Sequence, residues 1–511
     1  MAKKRKSKLG IGVAAAAIVA AVGAGLVDGV KETVKNVATD TIGWARSQID
    51  ELSPLPQADT SAALSVFVAQ FEGDDSNDSQ TTHVVEALRR AFPEPETAHG
   101  VQVTALSRAL KRRKLGNATG NFQAAEEKGR GWLKESKADV LIWGEVVERN
   151  KGLRIYFVLS EGNVRLSQKN YGFADAVTLT QNFDQDLGLV IAARVAELVK
   201  SAREVLAPIP KFLEPLYSRL KTIALHQLIN QTAAACVMYD SIGVVALVLG
   251  ESKRDEGDVH LREAMDTYER ALSDDRCRGD TDLVALFHNN LGITLVEIGK
   301  WVDGKRLEDA ETHFRTALLL RPRDRVPLKW ASTQSNLGIF LSLLGHFRDN
   351  PTKLEESAAI FRLLLEFHSR EGRSPDWAFA QLNLGDTLDR LGLSRSDPSM
   401  LKEAIAAYQA ALEVFSSRRM ASRAAVATGN KGRSLRNLAE ECADAGLAQN
   451  AVETLDAAVR MSRESRMADF AESFDKALTG AREVLEDLKE KRDSSAGSQP
   501  TQGCPPPAAT P

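Results

Sequence analysis

The chain has 511 residues, 43% apolar and 26% charged, and its 66 basic and 69 acidic residues leave a net charge of −3. That composition is globular, with length for two or three domains, and its even charge balance argues against a nucleic-acid partner. Cys236, Cys277, Cys442 and Cys504 lie far apart, with no CxxC and no nearby His pair. This argues against zinc or a disulfide framework and for buried spectator thiols, with one long-range bridge left open.

The amino terminus reads "MAKKRKSK", then Leu9–Val27 runs nineteen residues without a charge. As a helix it would rise about 28 Å, close to a bilayer core of about 30 Å. Three readings compete: a single-pass anchor, a cleaved signal peptide, and an apolar helix of a soluble protein. The anchor is the leading one, and its basic flank would keep the amino terminus cytoplasmic and send the bulk of the chain across the inner membrane. Val27, Val30, Val34, Val37, Thr41 and Trp44 then form one helical stripe reaching about Leu52, read as a stalk that could pair with itself or as a helix lying along the folded domain. "SPLPQADTS" is a linker.

The next 140 residues alternate in type. Strands are predicted over Ala63–Phe71 and Val101–Leu106, helices over Thr81–Phe92, Phe122–Ser136 and about Asp184–Leu206, and a hairpin over Asp139–Gly162. The order implies a mixed sheet with helices packed on it. The pieces "VFVAQFEGD", "VVEALRRAF" and "ADVLIWGEVVERNKGLRIYFVL" resemble the TolB amino-terminal-like domain over about 100 residues, departing from it in the long "TALSRALKRRKLGNATGN" connection. The resemblance implies a sensory or assembly module following a membrane helix, and no enzyme.

Asp74, Asp75, Asp78 and His83 follow the first strand, where α/β proteins often bind ligands, and acidic oxygens suit a divalent cation. The same residue types also build a turn and a helix N-cap, which is the preferred reading. "GNATGN" lacks the GK[ST] ending of a phosphate loop, and no G-x-S-x-G or HExxH occurs. No catalytic residue, metal ligand or cofactor is assigned.

The second half repeats itself. "WASTQSNLGIFLSLLG" (Trp330–Gly345) returns 47 residues later as "WAFAQLNLGDTLDRLG" (Trp377–Gly392). Paired glycines seven apart occur at Gly243/Gly250, Gly292/Gly299, Gly338/Gly345 and Gly385/Gly392, and a fifth copy has Gly432 and Ala439. Large apolar markers keep step: Tyr268, Phe314, Phe361, Tyr408 and Leu455. Small residues let two helices approach closely, the second glycine is expected to end the first helix, and hairpins that cannot bury a face alone must stack. Trp330 and Trp377 are expected to be packing anchors.

The Leu-Gly and Ala–aromatic–Ala elements resemble the tetratricopeptide repeat, in a long-period bacterial form, over roughly residues 221–467. The resemblance implies an α-α superhelix whose groove binds a partner protein or peptide. Carried over, its lining residues are Asn289, Ile293 and Val296; Ser335, Ile339 and Ser342; Leu382, Asp386, Asp389 and Arg390; and Arg433, Arg436 and Asn437. The groove would run from apolar through acidic to basic.

The expected organisation is therefore mostly α with a smaller α/β domain. Residues 1–28 hold the basic start and apolar helix, 29–60 the stalk and linker, 61–206 the α/β domain, 207–490 the capped array, and 491–511 a Pro-, Ser- and Gly-rich disordered tail. The function expected is a non-enzymatic, membrane-tethered bacterial scaffold. Its rival is a ligand- or nucleotide-binding α/β module regulated by the repeats.

Overall fold

The computed structural model describes residues 54–59, 62, 64–74, 79–92, 100–110, 118–147, 152–160, 177–179, 187–203, 213–227, 232–252, 257–301, 306–369, 374–417, 420–465 and 467–494. Leu9–Val27, the stalk and the tail lie outside them. No helix among the described residues is long and apolar enough to cross a membrane. The chain divides into one unit of residues 57–105 and 110–511 and another of residues 1–56 and 106–109. In the second unit only residues 54–56 and 106–109 are described, the latter as the end of one strand, and the account below otherwise concerns the first.

Strands β1 (Leu64–Gln70), β2 (Val101–Ala109), β3 (Val140–Val147), β4 (Gly152–Leu159) and β5 (Val177–Leu179) form one sheet in the order β2-β1-β3-β4-β5. β1 runs parallel to β3, with Val66 opposite Val140. β4 is antiparallel to both β3 and β5, with Gly144 opposite Ile155. The β-branched and aromatic runs thus became strands within a few residues of expectation. β5 was not expected: three residues are too short to show a period. Helices α1 (Ser79–Ala91), α2 (Ala118–Ser136) and α3 (Leu187–Arg203) complete this module. Gly188 lets the start of α3 sit against the backbone of α1 at Ala87.

The remaining helices are α4 (Leu213–Gln227), α5 (Thr232–Ser252), α6 (Gly257–Ser273), the single turn α7 (Asp275–Arg278), α8 (Thr281–Trp301) and α9 (Arg306–Leu320). They continue with α10 (Pro327–Phe347), α11 (Pro351–Ser369), α12 (Pro375–Arg395), α13 (Pro398–Ser417), α14 (Ala421–Cys442), α15 (Ala445–Glu464) and α16 (Ala468–Ser494). Five hairpins result: α5/α6, α8/α9, α10/α11, α12/α13 and α14/α15. In each the first member is called the A helix and the second the B helix. The apolar core runs unbroken from the sheet through α3 to Phe340. The mostly helical class with a small sheet domain is therefore the observed one.

The repeated residues are spacers for one another. A Cβ added at Gly292, Gly338 or Gly385 would stand 2.9, 2.9 and 2.7 Å from the rings of Phe314, Phe361 and Tyr408. The second glycines meet a B-helix leucine instead: Gly299 meets Leu307, Gly345 meets Leu354 and Gly392 meets Leu401. In the fifth copy both members change together, and Ala439 packs with Ala448. Here the expectation needs correction. The second glycines lie inside their helices and none has a positive φ. They make room for a neighbour and do not end the helix.

What ends α10, α12 and α14 is a left-handed residue that is not glycine. Asp349, Ser396 and Ala443 have φ of 45, 47 and 48°. The next residue donates its N–H back to the carbonyl of the second small residue: Asn350 to Gly345 and Asp397 to Gly392, both at 2.8 Å, and Asp444 to Ala439 at 3.0 Å. The side chains of Asn350, Asp397 and Asp444 then cap the B helix by accepting from Lys353, Ser399 and Gly446 N–H. A left-handed L-residue costs about 1–2 kcal/mol. Ser396→Gly and Ala443→Gly should each raise unfolding free energy by about 0.5–1 kcal/mol in urea melts.

Cys236 and Cys277 form a disulfide tying α5 to α7, with Cα atoms 5.6 Å apart. Cys442 is disulfide-bonded too. The spectator-thiol expectation is thus wrong. Trp330 is buried and meets the Phe367 ring edge-on at 5.6 Å, as a packing anchor should. Trp377 is half-buried at the start of α12, where its N–H bonds the Ser374 hydroxyl.

Candidate functional site

On the A-helix side of the array, α8, α10 and α12 enclose a depression of about 170 Å³. Ile293, Val296 and Glu297 line it from α8; Asn336, Ile339, Phe340, Ser342 and Leu343 from α10; Asn383, Asp386 and Arg390 from α12. Phe314 and Phe361 close its floor. They reach it because Gly292 and Gly338 leave space for their rings. The floor is therefore a direct product of the repeat spacing.

Six of the residues expected in the groove meet here: Ile293, Val296, Ile339, Ser342, Asp386 and Arg390. The others do not. Asn289 is buried, bonding Asn290 and accepting from Asn336 at 2.9 Å. Leu382 is in the core, and Ser335 is half-buried outside the lining. Asp389 accepts from Ser434 and Asn437. Arg433 donates to the Ser473 hydroxyl at 2.6 Å and lies over the Phe474 ring of α16. Arg436 donates to Asn437 and pairs with Glu440 at 3.8 Å. The expected basic end of the groove is therefore largely taken up by the chain's own contacts.

A column of asparagines stands two residues before the first glycine of copies two to five and was not anticipated: Asn290, Asn336, Asn383 and Asn430; the first copy has Ser241 there. Its signal is the "N" that keeps step with "LG". Asn290 donates to Asp240 at 3.2 Å, Asn336 to Asn289, and Asn430 to Asp386 at 2.9 Å. The Asn383 carboxamide has no hydrogen bond among the described residues and faces the depression. A carboxamide both donates and accepts, so it suits a peptide group.

The electrostatics centre on α12. Burial raises the Asp386 carboxyl to about 6, outweighing the bond from the Tyr408 hydroxyl at 2.6 Å and the nearby Arg390. Burial also raises Asp389 and lowers Arg433. Arg390 makes one long bond, 3.4 Å to the Ser342 carbonyl, and no ion pair among the described residues.

A second titratable pair lies in the same array. His288 of α8 and His313 of α9 bring their Nδ1 atoms within 2.8 Å. Burial, then the neighbouring ring, lowers His288 from 6.5 to about 4; burial also lowers His313. The unfolded chain takes up protons near pH 6.5 and the folded one only well below it. Stability should therefore be full above pH 6.5 and fall as pH drops through 4. Screened at these partly exposed rings, the effect is on the order of 1 kcal/mol. Urea melts of His288→Gln between pH 7 and pH 4 should lose part of the wild-type slope.

In the sheet module Asp74 is already engaged. It accepts from the Gln80 and Thr81 N–H groups at 3.0 and 2.8 Å and from the Thr81 hydroxyl at 2.7 Å, at the start of α1. This is the turn and cap role. Asp75 and Asp78 lie outside the described residues, and His83 is exposed on α1.

No family model and no curated protein matches the chain. Among the solved structures similar to it are three at 17% identity. BtubC (BKLC) from P. vanneervenii covers 49% of this chain and 98% of its own, with a TM-score of 0.30. A circular tandem repeat protein with novel repeat topology covers 62% and 86%, with a TM-score of 0.27. A DHF58 filament covers 54% and 97%, with a TM-score of 0.11. Overlays this poor carry no argument, and the repeat architecture rests on the chain's own helices.

Proposed function

We propose that this chain is a membrane-tethered interaction scaffold. Its repeats are of tetratricopeptide type, its sheet module is TolB-like, and its A-helix face holds a segment of a partner protein. The observation that carries this reading is the depression between α8, α10 and α12. There an apolar floor lies beside an Asn383 carboxamide and an Arg390 guanidinium that have, among the described residues, no hydrogen bond and no ion pair respectively. Apolar anchoring plus a few placed polar groups is how such sites hold a peptide.

The disulfide of the first repeat supports an oxidising compartment, in keeping with an inner-membrane anchor at Leu9–Val27 and a periplasmic array. A carboxy-terminal reporter active only outside the cytoplasm should be active, and in the membrane fraction. A soluble, reporter-negative protein would overturn the tether. For the groove, Ile339→Lys should abolish co-purification of the partner while leaving the thermal melt within about 1 kcal/mol of wild type. Undiminished co-purification would remove the groove assignment.

A further inference from the structure

Two carboxylates on the A helices stand in related settings, and one of them has a partner that the other lacks. Asp240 of α5 accepts at Oδ1 from Asn290, the column asparagine of the following repeat, at 3.2 Å. Its Oδ2 pairs with the Arg194 guanidinium of α3. Arg194 stands among Val190, Ile191, Ala193 and Val195, buried apolar residues of the same helix. The first A helix is thus engaged by an apolar stretch, residues 189–196, bearing one arginine and supplied by the chain itself.

Asp386 of α12 accepts at Oδ1 from Asn430, again the column asparagine of the following repeat, at 2.9 Å. The Tyr408 hydroxyl reaches the same oxygen at 2.6 Å. No donor among the described residues reaches Oδ2, and Asp386 lines the depression. Among the described lining residues Arg390 is the cation nearest in sequence to Asp386, and it makes no ion pair with it. A desolvated carboxylate with an unfilled oxygen is costly, and burial does hold this carboxyl well above its ordinary range, at about 6. At Asp240 the guanidinium of Arg194 offsets that cost.

We propose that the depression receives a partner segment in which a basic side chain, arginine above all, is flanked by small apolar residues, and that this side chain pairs with Oδ2 of Asp386 as Arg194 pairs with Asp240. A planar guanidinium fits because it can bond a carboxylate oxygen and still direct donors elsewhere. The apolar neighbours would settle between Ile293 and Ile339, over Phe314 and Phe361. The proposal rests on the interaction reading above and specifies the partner's chemistry.

The chain's own α3 provides the probe. A fluorescent peptide with the sequence of residues 187–203, and its counterpart carrying the Arg194→Gln change, are titrated by anisotropy into the detergent-solubilised full chain. The arginine peptide should bind at least tenfold more tightly than the glutamine peptide. Asp386→Asn keeps the acceptor for Tyr408 and Asn430 but removes the charge, and should erase that preference. Arg390→Gln removes a like charge and should tighten the arginine peptide a few-fold. If Asp386→Asn leaves the tenfold preference intact, the arginine is read elsewhere and the inference fails. Failure of the arginine peptide to bind the wild type, or its weaker binding by Arg390→Gln, also overturns it. Ile339→Lys separates the two levels: loss of both peptides with no effect of Asp386→Asn keeps the groove and discards the arginine. No effect of either variant discards both.

Discussion

Replacing Cys236 and Cys277 by serine should cost the array about 4 kcal/mol. The bridge closes a loop of 41 residues, and chain entropy assigns roughly that stabilisation to a loop of this length. Both cysteines are buried, so the hydroxyls left behind add a desolvation cost of about 1 kcal/mol or more. A repeat array is held together mainly by nearest neighbours, so the loss should be local. In urea the doubly substituted chain should show an early transition of α5 to α7, with the later repeats unfolding near their wild-type midpoint. Reductant alone would be a poorer probe, because Cys442 is also disulfide-bonded. Coincident melts of variant and wild type would mean that the bridge constrains nothing.

Gly385→Val should be nearly as damaging, at about 3 kcal/mol. Its Cβ would enter at 2.7 Å from Tyr408 Cε1, and that ring is buried and pinned by the hydroxyl bond to Asp386. Overpacking of this kind costs about 1–3 kcal/mol, and a β-branched residue in a helix gives back little of it. Gly385→Ala should do less harm, because alanine's helix propensity recovers about 1 kcal/mol. The variants should also weaken binding in the depression, since Asp386 adjoins Gly385 and is positioned by Tyr408. A Gly385→Val chain as stable as wild type would refute the spacer account of the repeated glycines.

These two sites show what could and could not be read from the residues. The glycines were legible because close approach of two helices tolerates little else, and the need recurs in each hairpin. Their second set was misread because glycine commonly ends helices. Only the geometry shows Leu307, Leu354 and Leu401 occupying the space instead. The Cys236–Cys277 bridge carried no motif, since a separation of 41 residues leaves no local trace of a pairing that the fold creates. The α/β strands were legible from β-branched and aromatic runs, except the three-residue β5. Half of the groove was legible too: Ile339, Asp386 and Arg390 follow from position within the repeat. Arg433 does not, because α16 lies outside the repeat and supplies Ser473 and Phe474 to it. Asn383 shares its spacing with Asn290, Asn336 and Asn430, but only the fold shows that those three engage their carboxamides with the chain's own acceptors while Asn383 faces the depression.

The central claim is that the A-helix face, and no other, meets a partner. The most direct test places a photo-crosslinking amino acid singly at Ile339, at Asn383 and, on the B-helix side, at the exposed Leu319, in the full chain in its native cells. The account predicts one discrete cross-linked product from Ile339 and Asn383, lost on adding Gly385→Val, and none from Leu319. Equal products from all three positions, or a product from Leu319 alone, would contradict it.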